Sequence, residues 1–214
     1  IRSSAASDVY KRQTQAGVSS VQMQKRYAIT QLSDGTEKRS ALIVAADGAR
    51  SPVRQQLDIE CSERAYQQQA LVAVVETQEA NTGVAWQRYL QGGPLAFLPV
   101  SGGRSSIVWS MPTEQAAEYL ALGDADFAGV LSAASQTHFG EVLKVGQRAV
   151  FPLSLLLAKR YVHERVVLMG DAAHRIHPQA GQGLNIGLQD AAALAELLQN
   201  AGYGGSLSAV STDD

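Results

Sequence analysis

The stretch from Arg165 to Leu198, RVVLMGDAAHRIHPQAGQGLNIGLQDAAALAELL, constrains the fold of this chain more than any other. It opens with Val166–Met169, a short apolar run rich in β-branched residues, which predicts a buried strand. Gly170 and Asp171 end that strand, and a loop containing Pro178, Gly181 and Gly183 follows. Leu184, Leu188, Ala191, Ala195 and Leu198 then recur at helical spacing, with Asn200 and Gly202 as the stop signal. A carboxylate just past a strand end can accept hydrogen bonds from ligand hydroxyls. Glycines let a backbone approach a flat ligand closely, and a helix start offers unpaired N–H groups to negative charge. An ordinary strand–loop–helix unit of an α/β protein would satisfy the same pattern.

The residues themselves carry more than the pattern. GDAAH (Gly170–His174) followed by HPQAGQGLNIGLQDA (His177–Ala191) closely resembles the second flavin-binding motif of the FAD-dependent aromatic-ring hydroxylases, most of all the ubiquinone-biosynthesis hydroxylases. The resemblance assigns Asp171, between Gly170 and Ala172, to the ribitol of FAD. It sets Pro178, Gly181, Gly183, Leu184 and Asn185 around the flavin ring. A second segment, ALIVAADGARSPVR (Ala41–Arg54), resembles the family's DG motif, with Asp47, Gly48, Ser51 and Arg54 at matching positions near the pyrophosphate. Ala46 stands where many members have glycine. Read physically, Asp47 can cap the next helix, and Arg54 can pair with a phosphate or an acid or form a surface salt bridge.

The expected fold class is α/β (α+β overall): a partial Rossmann-like FAD-binding domain carrying an inserted, mostly antiparallel β-sheet substrate domain. Residues 1–13 show no period and are set aside as a non-native or disordered tail. Residues 14–60 are expected to form the first part of the FAD domain, 61–152 the substrate sheet, 153–202 the second FAD part, and 203–214 a tail. Family members begin with a strand, a GxGxxG turn and a helix for the ADP half of FAD. No GxGxxG occurs here, so the chain reads as the middle of a longer enzyme.

Val18–Gln24, Tyr27–Leu32 and Glu37–Ala45 are predicted strands, with Asp34-Gly35 as a hairpin turn and Leu42–Ala45 fully buried. Ala70–Glu76, Val84–Leu90, Leu95–Pro99 and Ser105–Ser110 follow in quick succession, separated by glycine turns, which implies antiparallel pairing. Thr113–Leu122 and Asp124–Ala134 are predicted helices opened by Thr113 and Asp124 as caps, and Val142–Pro152 is a returning strand. The run Leu153–Leu157 before Lys159, Arg160 and Tyr161 is core, or else a surface for a prenyl chain or a membrane face.

Net charge of −2 gives no sign of a nucleic-acid partner, and the single cysteine, Cys61, excludes an internal disulfide and fits a cytoplasmic setting. No apolar run is long enough to span a bilayer, which leaves at most peripheral contact with an inner membrane or a quinone-biosynthesis complex. Asp171, His174 and His177 have a spacing that suggests a metal, but no further ligand is evident and no metal is expected. No serine lies in a GxSxG, and no catalytic base is identifiable.

The resemblance therefore implies a monooxygenase. NAD(P)H reduces FAD, O2 forms a hydroperoxide at the flavin C4a, and one oxygen passes to the ring of a prenylated phenol. A halogenase or prenyl reductase on the same scaffold, or a non-catalytic truncated fragment, are the alternatives.

Overall fold

The computed structural model describes residues 16–177 and 182–203. Pro178, Gly181 and both predicted tails except Tyr203 lie outside the described residues. The chain divides into two compact units. Among the described residues, one holds those from 16 to 62, Leu156–Arg175 and those from 182 to 203; the other holds Glu63–Leu155 and residues 176 and 177.

In the first unit, β1 (Val18–Met23), β2 (Ala28–Leu32) and β3 (Glu37–Ser40) form an antiparallel sheet. Its second turn follows the Asp-Gly signal: Asp34 Oδ1 accepts from the Thr36 N–H at 2.8 Å, and Gly35 takes φ +84°. β4 (Ile43–Ala45) runs parallel to β12 (Val166–Leu168), which pairs antiparallel with β11 (Val162–His163). Ala45, Val166 and Leu168 pack with Val53, Ile59 and Ala173 into one core. The expectation of a fully buried strand at Leu42–Ala45 holds only for Ala45, because β4 is the sheet edge and Val44 is 46 % exposed. A short helix, α1 (Pro52–Gln56), follows β4, with Ser51 as its cap: its hydroxyl accepts from the Arg54 N–H.

The second unit is built on β5 (Cys61–Thr77), a strand far longer than the predicted Ala70–Glu76. Its first half, CSERAYQQQ, is too polar for hydrophobic patterning to reveal. β5 pairs antiparallel with β8 (Arg104–Pro112), β8 with β7 (Gly93–Val100), and β7 with β6 (Trp86–Leu90). Alternate residues Ile107, Trp109 and Met111 of β8 and Leu95 and Phe97 of β7 point to one face, as a half-buried sheet requires. They meet Ala116 of α2 (Thr113–Ala121) and Phe127 and Leu131 of α3 (Asp124–Ser135).

Neither helix is capped by the predicted side chain. Pro112 and Gly123 occupy the cap positions, so Thr113 and Asp124 fall inside the first turn. Asp124 instead pairs with Arg148, whose guanidinium also donates to the Tyr119 and Leu122 carbonyls and thereby fills the end of α2. The predicted strand Val142–Pro152 is two: β9 (Val142–Val145) on β5, then β10 (Ala149–Ala158). The intervening Gly146–Arg148 turns away to make these contacts. Along β10, Leu153 and Leu156 are buried while Leu157 is partly exposed, so the leucine run is core on one side only. No described helix is long and apolar enough to cross a membrane.

Candidate functional site

The parallel pair β4–β12 fixes the site in the first unit. Ala45 lies beside Leu168, and the Met169 N–H donates to the Ala45 carbonyl, so both strands release their chains at the same carboxyl edge. That edge is where open α/β sheets place ligands. From β4 emerges the loop Ala46–Ser51, and from β12 the single 3-10 turn Gly170–Ala172, followed by β13 (His174–Arg175) on the end of β10.

Two side chains brace these loops. Arg54 is 4 % exposed; its Nη1 donates to the Ala172 carbonyl at 2.8 Å and its Nη2 to the Ala49 carbonyl at 2.7 Å. The guanidinium fork thus ties the two loops together. Among the described residues it makes neither a surface salt bridge nor a carboxylate contact. Asp47 Oδ2 accepts from the Val53 N–H at 3.2 Å, the helix-capping contact its sequence position suggested.

The second brace comes from α4 (Gln182–Leu198). Asp190 Oδ2 accepts from the Gly170 N–H at 2.8 Å and from His174 Nε2 at 2.7 Å, gripping the turn on both sides. Gly187 faces Gly170: a Cβ built on it would lie 3.6 Å from the Gly170 Cα, so the helix comes down close to the turn. His174 is 5 % exposed, and the Tyr161 ring lies against it at 5.8 Å. Burial, and secondarily the Asp190 carboxylate, raises the Tyr161 hydroxyl above its ordinary value, so beside this pair it stays neutral.

These braces leave Asp171 exposed at the tip of the turn, with no hydrogen-bond partner among the described residues. Its backbone is fixed while its carboxylate can only accept. Gly48 and Gly170 both adopt positive φ, +84° and +55°, with open space where a Cβ would be. Gly183, Leu184 and Asn185 form the first turn of α4, where Leu184 and Asn185 are exposed. An acceptor on a braced turn, beside glycine backbone at a sheet's carboxyl edge, can take hydrogen bonds from a ligand's hydroxyls.

In the second unit, His177 rests edge-on against Tyr66 with ring centroids 5.2 Å apart, and its Nε2 meets Gln68 Oε1 at 3.2 Å. Both histidines thus contact side chains, His174 that of Asp190 and His177 that of Gln68. Asp190 and Gln68 carried no signal of their own in the sequence. Their partners are 16 and 109 positions away, and only the QDA triplet containing Asp190 stood within a recognised motif. Among the described residues no group of three His, Cys, Asp or Glu is placed to hold a metal ion.

The first unit thus offers a parallel strand pair with loops at its carboxyl edge, and the second an antiparallel sheet that follows it in sequence. The FAD binding domain family matches residues 3–207. The chain belongs to this family, in the branch of FAD-dependent aromatic-ring hydroxylases that includes the ubiquinone-biosynthesis monooxygenases. It is 44 % identical over 167 residues to the ubiquinone hydroxylase UbiL of Rhodospirillum rubrum, covering 78 % of this chain and 39 % of UbiL. It is 38 % identical over 208 residues to the mitochondrial ubiquinone biosynthesis monooxygenase COQ6 of Mus musculus, covering 81 % of this chain and 44 % of that protein. The chain thus spans less than half the length of these relatives. Among solved structures, PqsL, a probable FAD-dependent monooxygenase of Pseudomonas aeruginosa, superposes with a TM-score of 0.69 at 29 % identity, covering 90 % of this chain and 55 % of PqsL.

Proposed function

We propose that this chain supplies the ribityl and ring side of an FAD site, with its substrate sheet, in a monooxygenase that hydroxylates the ring of a prenylated phenol in ubiquinone biosynthesis. The observation that carries this reading is the turn Gly170–Ala172, braced by Arg54 and Asp190 and presenting an Asp171 carboxylate with no hydrogen-bond partner among the described residues. The names of UbiL and COQ6 support the substrate class.

In this reading Asp171 accepts hydrogen bonds from the ribityl hydroxyls, with Gly170 and Ala172 setting its backbone. Asp47 and Gly48 shape the neighbouring loop, and Arg54 holds that loop to the turn. Gly183, Leu184 and Asn185 offer amide N–H groups at the start of α4 to negative charge on the ring edge. Bound FAD would supply the redox chemistry, taking electrons from NAD(P)H and activating O2. The protein's task is to orient the phenol on the sheet of residues 61–152 and to exclude water.

The test is product analysis after incubating a full-length version of the protein with FAD, NADPH, ortho-allylphenol and isotope-labelled O2. One labelled oxygen on the aromatic ring is the expected result. A halogenated product in the presence of halide, a saturated side chain, or no product contradicts the assignment.

A further inference from the structure

A cleft of about 500 Å3 opens between the sheet and the helices of the second unit. Its size falls within the roughly 300–1,000 Å3 typical of small-molecule sites. Leu90 of β6, Trp109 of β8, and Val130 and Ala134 of α3 make its walls mostly apolar. Arg88 on β6 is the only charged residue that lines it. This side chain is half-buried, and its Nη1 donates to the Ala134 carbonyl at 2.8 Å, which anchors the guanidinium to the end of α3. Among the described residues that is its one hydrogen bond, and no carboxylate pairs with it. Arg54 and Arg148, by contrast, each use both Nη atoms on backbone carbonyls. A guanidinium carries five N–H donors, so Arg88 Nε and Nη2 are left over, the adjacent pair that takes a carboxylate in two parallel bonds. Tyr119 of α2 adds a second polar point. Its oxygen accepts from Gln115 Nε2 at 3.1 Å, and its own O–H has no acceptor among the described residues. The Tyr119 ring also leans on Trp109, with centroids 5.2 Å apart and planes at 51°, which gives the cleft an aromatic corner.

We propose that this cleft binds an aromatic carboxylate, with its head on Arg88 Nε and Nη2 and its ring against Trp109 and Tyr119. The anion supplies the charge that the cleft lacks, and the guanidinium is already held by α3, so little side-chain freedom is lost on binding. A flat ring in the aromatic corner gains edge or offset contacts that an alicyclic body of similar size does not. Every lining residue belongs to the second unit, so this site does not depend on the flavin seat.

A full-length version of the protein is titrated by calorimetry with 2-naphthoate, with 2-naphthamide and with the saturated acid decalin-2-carboxylate. Naphthoate should bind saturably and at least about tenfold more tightly than the amide, because hydrogen bonds between charged partners outweigh neutral ones. The saturated acid should bind about threefold more weakly than naphthoate. Arg88→Gln should abolish the preference for acid over amide while leaving amide binding within about twofold of native, since only the charged head loses its partner. Ala133 is an exposed α3 residue that also lines the cleft, and Ala133→Phe fills it without touching Arg88. That variant should weaken all three ligands at least about tenfold. If Arg88→Gln does not fold, Ala133→Phe and the three-ligand comparison carry the test. Absence of saturable naphthoate binding overturns the proposal, as does equal affinity for acid and amide or for the aromatic and saturated acids. Naphthoate binding undiminished in either folded variant overturns it as well.

Discussion

Replacing Arg54 with methionine is expected to destabilise the chain by about 2–6 kcal/mol, because two backbone carbonyls lose their donor at roughly 1–3 kcal/mol each. Methionine keeps most of the apolar stem, so the loss isolates the fork that joins Ala172 to Ala49. Urea unfolding followed by circular dichroism reads it, with the denaturant slope unchanged and the midpoint lowered. Arg54→Lys should recover only part, since an ammonium cannot address two carbonyls in the geometry of a planar fork. A midpoint equal to that of the native chain would mean that the two loops are held by something other than this side chain.

Replacing Asp190 with alanine should be nearly as damaging to stability and more damaging to ligand binding. It strands the Gly170 N–H and the buried His174 Nε2 together, an expected loss of about 2–4 kcal/mol. The turn that presents Asp171 loses its hold on α4, so FAD uptake should weaken at least about tenfold, the equivalent of one displaced hydrogen bond. Asp190→Asn is the informative companion. The Gly170 N–H and His174 Nε2 meet the same Asp190 oxygen, so an asparagine with its amide oxygen in that place keeps both contacts and loses only the charge. Hydrogen bonds to a neutral acceptor are weaker than those to a carboxylate, so this variant should fall between the native chain and alanine. Equal stability of all three forms, measured by urea unfolding, would remove Asp190 from the account.

The sequence made some of these elements legible and hid others for definite physical reasons. The strand at Val166–Leu168, the Asp34-Gly35 turn and the strands through Leu95–Ser110 announced themselves through β-branched runs, turn chemistry and alternation. The first half of β5 did not, because Cys61–Gln69 is polar and finds its place only by pairing with neighbouring strands. The break between β9 and β10 depends on Arg148 reaching the end of α2, a contact between residues 29 and 26 positions apart. At the site, the motif residues Asp171 and Arg54 could be named, yet the burial of Arg54 and its two carbonyl partners could not. The grip of Asp190 on Gly170 required the helix to fold back over the turn, which periodicity cannot convey.

The most direct measurement is an equilibrium titration of FAD fluorescence with a full-length version of the protein, native and with Asp171→Ala. Asp171 is exposed and makes no hydrogen bond among the described residues, so its replacement should leave urea unfolding unchanged. Saturable quenching by the native chain, weakened at least about tenfold in Asp171→Ala, is expected if this carboxylate holds the ribityl hydroxyls, since hydrogen bonds to a charged group contribute about 1.5–3 kcal/mol. Equal affinity in the two proteins, or no saturable binding by the native chain, would contradict the assignment of this turn as the flavin seat.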